Sequence, residues 1–176
     1  MNIPTVISAE PTPGANWDAI FDEVNAWRGS CLHHFSAAEM AVTETLLALS
    51  KTAAEPEIVR LRPLLGQRFE DLAMAIRAGG PRDKIGQSAR DELANYRDQQ
   101  EAFRNLLCHG RLKVMVDRNN HWTLVIQTLA IRSRQPERSV TVITQKDASD
   151  RISDLKRDSQ RLASTLGQLR KSVEEY

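Results

Sequence analysis

Arg104-Asn105-Leu106-Leu107-Cys108-His109-Gly110, running directly into Arg111-Leu112-Lys113-Val114-Met115-Val116, is the stretch that decides the fold. Before Gly110 the apolar residues recur every three to four positions, as on one face of a helix. After it Val114 and Val116 alternate with Lys113 and Met115, the period of a strand. Gly110 stands where helices commonly end, at a C′ position. A long helix therefore gives way to sheet here, and the rest of the chain is read outward from that switch.

Upstream, Ala89, Leu93, Tyr96, Phe103 and Leu107 mark the buried side of a helix from about 86 to 109. Gly79-Gly80-Pro81 ends the helix before it, which spans about 58–78 with Ile58, Leu61, Leu65, Phe69, Leu72 and Ile76 as its stripe. Pro63 marks that helix's first turn or a kink. Ser36 with Glu39 forms a capping-box pattern for a helix to about Lys51, its apolar positions including Met40, Val42, Leu46, Leu47 and Leu49. A first helix starts after the N-cap Asn16 and buries Trp17, Ile20, Phe21, Val24 and Trp27. Gly29-Ser30 is expected to interrupt or bend it. Residues 1–15, with four prolines and glycines, read as an extended arm.

Downstream, Asp117-Arg118-Asn119-Asn120 is a turn, and Trp122, Leu124, Ile126 and Thr128 alternate on the returning strand. A polar loop around Pro136 leads to a third segment, Val140 to Ile143. The last helix, about 146–175, carries Ile152, Leu155, Leu162, Leu166, Leu169 and Val173 at 3–4 spacing, broken only at Ser159. That seam suits the chain's own bundle slightly better than a twin chain. The expected fold is mainly α: a four- or five-helix bundle with an antiparallel hairpin or three-stranded sheet at about 112–143, all in one domain over 16–176.

The 176 residues, 41% hydrophobic and 27% charged, have the composition of a soluble globular protein. No apolar run approaches the ~20 residues of a membrane helix, and Met1 to Gly14 lacks the pattern of a secretory signal. Two cysteines, Cys31 and Cys108, fit free thiols in a reducing compartment, so a cytoplasmic location is expected. The net charge of +1 hides a segregation. Residues 1–50 hold six acids and one base, whereas residues 102–140 hold seven bases and two acids. The basic zone thus starts at the quoted stretch and favours a polyanionic partner.

That stretch also holds the chemistry. Asn105 and His109 are four apart, hence about 40° apart on one helix face. Arg104 is offset but long enough to bend toward them. An arginine to hold a phosphate, an amide to orient and an imidazole to carry a proton are what metal-free attack on a phosphodiester needs. The negative end of the helix favours a protonated imidazole. One helix end supplies one imidazole, while attack by a 2′-hydroxyl wants both a base and an acid. Two copies of the helix end, joined in a symmetric homodimer, would supply the pair. Arg111, Lys113, Arg118 and Arg132 are the candidates for contact with an RNA backbone. A second Arg-x4-His pair, Arg28 to His33, contains Gly29-Ser30 and is read as coincidence.

The run Phe103 to Gly110 resembles the signature of HEPN domains: an arginine, a polar residue often asparagine, then a histidine four to six positions after the arginine, frequently followed by glycine. The helices over about 16–110 are similar to that family in order and length. The resemblance implies a metal-independent endoribonuclease, with Arg104 and His109 catalytic and Asn105 supporting. It also implies catalysis at a dimer interface, and work as a toxin paired with an antitoxin, in phage defence or in RNA processing. Inactive members serve as binding modules, so a helical adaptor that binds RNA, nucleotide or a protein partner is the alternative.

Other candidates are weaker. His33 and His34 are adjacent, so their side chains are expected to point apart, and no metal site or cofactor is expected. Cys108 reads as a small buried cysteine. Trp17, Trp27, Phe35 and Tyr96 read as core, and Trp122 as a hairpin aromatic packed on the bundle.

Overall fold

The computed structural model describes residues 16–52, 59–60, 62–78, 83–132 and 134–174. The arm expected over 1–15, together with Ile58 and Leu61, lies outside them. Four helices and three strands follow in the order α1 (Trp17–Thr52), α2 (Leu65–Ala78), α3 (Asp83–His109), β1 (Arg111–Val116), β2 (Trp122–Arg132), β3 (Gln135–Thr144) and α4 (Gln145–Glu174). The chain is mainly helical, with an antiparallel sheet of order β1-β2-β3 directly before the last helix.

The two helices expected on either side of Gly29-Ser30 are one helix of 36 residues, α1. A glycine inside a helix costs about 1 kcal/mol. Val24 and Trp27 before it and Cys31, Phe35 and Ala38 after it are all buried at helical spacing. Each large apolar group buried is worth about 1.5–3 kcal/mol, which outweighs the local cost. Pro63 lies two residues ahead of α2, neither in its first turn nor at a kink.

The chain divides into two compact units. One comprises Gly29–Arg104 and Ile152–Tyr176, and is helical. Its core includes Phe35, Val42, Leu46, Phe69, Leu72, Leu93, Tyr96 and Phe103. Phe35 and Phe103 meet edge to face at 5.8 Å, and Phe69 stacks on Tyr96 at 6.0 Å. From α4 come Leu155, Leu162, Leu166, Leu169 and Val173, all buried, so the seam packs within its own chain. Ser159 and Asp158 are buried with them, and Gln100 Nε2 donates to Asp158 Oδ2 at 2.8 Å. Met40 and Leu47 of α1, expected among its apolar positions, are exposed instead.

The other unit comprises residues 16–28 and Asn105–Arg151. Ile20, Val24, Trp27, Leu107, Trp122, Leu124, Ile126, Ile143 and Ala148 are its core. The ring of Trp27 lies 6.0 Å from that of Trp122, and its Nε1 donates to the carbonyl of Ala148 at 2.8 Å. Phe21 is 46% exposed rather than core, tilted against Trp17 at 5.9 Å. The register pairs Val114 with Leu124 and Leu124 with Ile143, which fixes one sheet face inward. β2 and β3 are longer than expected and meet at a tight turn with Arg134 at φ 63°. Pro136 is therefore not in a loop but in β3, opposite Ile131. β3 is an edge strand, where a missing N–H is tolerated.

Candidate functional site

α3 runs without interruption to His109, so Arg104, Asn105 and His109 occupy its last two turns. Phe103 and Leu107, four apart, are buried, which turns the polar residues outward. Asn105 and His109 are exposed and Arg104 is half-buried. In the helical unit Arg104 Nε lies 3.4 Å from Glu39 Oε1, with both side chains partly solvated. This long contact orients the arginine's stem and contributes little to stability.

In the sheet unit the final carbonyls of α3 need donors. Arg28 Nη2 supplies one, donating to the Leu107 carbonyl at 3.1 Å. A second guanidinium therefore stands at the end of α3. The sequence offers Arg28 only a chance spacing to His33; the contact that matters spans 79 residues and leaves no local signal.

Arg111 and Lys113 are exposed on the outer face of β1, directly after the helix end. Arg118 lies in the turn beyond β1, and Arg132 ends β2, its side chain outside the described residues. At ~3.4 Å per residue, β1 puts that turn roughly 20 Å from its start. The candidate cations thus separate into Arg111 and Lys113, close to His109, and Arg118, remote from it. His121 is at the remote end as well, so it is not the second imidazole within one chain.

Asp117 Oδ1 accepts from the backbone N–H of Asn119 at 2.8 Å and of His121 at 2.9 Å. The His121 bond first, and then that of Asn119, holds the Asp117 carboxyl below its ordinary range. They are bonds of the turn itself.

Cys108 is exposed rather than buried, while Cys31 is the buried thiol, pushed up to about 12 by desolvation. Burial likewise pushes the Tyr96 phenol up to about 12. Both Cys31 and Tyr96 therefore keep their protons near neutrality and are not acid–base groups there. His33 and His34 do not point apart: their rings meet edge-on at 5.4 Å. Burial, then the charges of His33 and Lys156, holds His34 below the usual imidazole value. Among the described residues no three His, Cys, Asp or Glu side chains converge as metal ligands, and no helix is long and apolar enough to cross a membrane. The chain matches no family model, no curated protein and no solved structure.

Proposed function

We propose that this chain is a metal-independent endoribonuclease that acts as a homodimer, in the service of a toxin system or antiviral defence. The observation that carries the reading is the outward-facing Asn105 and His109 with Arg104 on the last two turns of α3, followed at once by Arg111 and Lys113. The resemblance of residues 103–110 to the HEPN signature supports it. In this reading Arg104 neutralises charge on the phosphorane and Asn105 orients the reacting groups. His109 of one chain takes the 2′-hydroxyl proton, and the same residue of its twin returns one to the leaving oxygen. Arg111 and Lys113 hold the backbone on the approach.

Purified protein should cut single-stranded RNA in the presence of a chelator, leave a 2′,3′-cyclic phosphate and spare DNA. His109→Ala should lower the rate by at least about a hundredfold, with an unchanged far-ultraviolet spectrum. A variant that cuts as fast as wild type, or cutting abolished by chelator, overturns the mechanism. Salt-sensitive RNA binding without any cleavage points instead to a non-catalytic adaptor. The exposed apolar residues Leu129, Ile131, Val140 and Val142 on one sheet face favour that second reading.

A further inference from the structure

We infer that the outer face of the sheet is a docking surface for an acidic amphipathic helix of another protein. Register and alternation fix which residues share that face. Lys113, Val125 and Val142 lie in one cross-strand row, and Arg111, Gln127 and Val140 in the next. Inward positions such as Leu124, Ile126 and Ile143 are fully buried. Outward, Val140 is 62% exposed, Val142 57%, Leu129 60%, Ile131 79% and Met115 39%. An antiparallel sheet with one wet face normally alternates apolar-in with polar-out. This sheet is apolar on both faces, as though a layer were missing from the outer one.

Charge, width and chemistry select the occupant. Arg111 and Lys113 flank the apolar strip on β1, and Arg138 flanks it on β3. None of the strand residues on this face is acidic. A second copy packed face to face would set these cations against their twins. RNA bases stack on aromatic rings, and the sheet's one aromatic, Trp122, is buried on the inner side. Three strands ~4.8 Å apart span roughly 10 Å, about the diameter of one helix. A helix with apolar residues at i, i+3, i+4 and i+7 and carboxylates along its flanks matches both the strip and its rim. The inference does not depend on the ribonuclease reading, because a chain that never cuts RNA would still present this face.

The test uses two synthetic helical peptides of about 20 residues with the same leucine stripe. One carries glutamate and the other lysine at every remaining position. Each is titrated into the full chain with labelled valine and leucine methyls. The glutamate peptide should shift the Leu129, Val140 and Val142 methyls, bind at least tenfold more tightly than the lysine peptide, and weaken with salt. Val140→Ser with Val142→Ser should lower that affinity at least tenfold. Leu129→Ser, which lies beyond the pairing of β1, gives a second variant with the fold preserved. Equal binding of the two peptides, or of neither, overturns the proposal. So does a single-stranded RNA that moves the same methyls at lower concentration, or a dimer in sedimentation that the double variant dissolves.

Discussion

Gly110 carries the geometry of the helix-to-strand switch in a single missing methyl. It does not use the left-handed conformation that usually explains a glycine after a helix. A Cβ there would instead collide with Ile126 Cγ2 of β2 and with the Leu106 carbonyl. The glycine exists for close approach of the helix end to the sheet, one residue after His109. Gly110→Ala should therefore cost about 1–3 kcal/mol through overpacking. A thermal melt followed by circular dichroism should fall by several degrees; an unchanged midpoint would mean that this contact is not tight. The residue was legible as a stop signal, but its reason was not, because the colliding partner sits across a strand pairing. Arg28 is the same case, since the Leu107 carbonyl it caps is identified by packing alone.

The start of α4 shows how an element is fixed by chemistry that the apolar pattern does not report. Thr144 and Asp147 cap it reciprocally: the Asp147 N–H donates to Thr144 Oγ1 at 3.1 Å, and the Thr144 N–H donates to Asp147 Oδ2 at 3.1 Å. The Thr144 hydroxyl also donates to Asp147 Oδ2 at 2.7 Å. The hydroxyl's bond, and after it that of the Thr144 N–H, holds the Asp147 carboxyl below its ordinary value. Such a group contributes stability above its unfolded pKa, near 4, and loses it as pH falls through the lower folded value. Thr144→Ala should thus lower stability at pH 7 by about 0.5–2 kcal/mol. Its deficit against wild type should shrink in urea denaturation as pH falls below about 4 and through the lowered folded value, where the wild-type Asp147 is protonated as well. A deficit that does not change with pH would mean that the carboxylate plays no part in the cap. Strong periodicity made α3, β1 and the α4 seam readable in the sequence. Failures came where burial overrode a local signal, as at Gly29, or where an edge strand accepted a proline, as at Pro136. The exposed valines and leucine of β2 and β3 were hidden for a related reason: a strand apolar on both sides reads like one buried on both. The Arg104-Asn105-x3-His109 spacing was fully legible, whereas the contacts with Glu39 and Arg28 were not.

At the scale of the whole molecule, the ribonuclease reading turns on how many imidazoles meet at one phosphate. One chain offers His109 at the end of α3, and the length of β1 sets His121 roughly 20 Å away. The α4 seam is taken up inside its own chain, so it is not the element that joins two copies. In that reading acid and base come from two His109 side chains, and activity requires both chains of a pair. Wild-type and His109→Ala chains, mixed at a fixed total concentration and allowed to exchange, test this directly. If each cut needs two intact histidines, activity follows the square of the wild-type fraction, about a quarter at equal mixing. If each chain works alone, activity follows the fraction itself, about a half. The square law is the expected result. A linear law would leave His109 a proton carrier but remove the composite site, and with it the reason for a dimer.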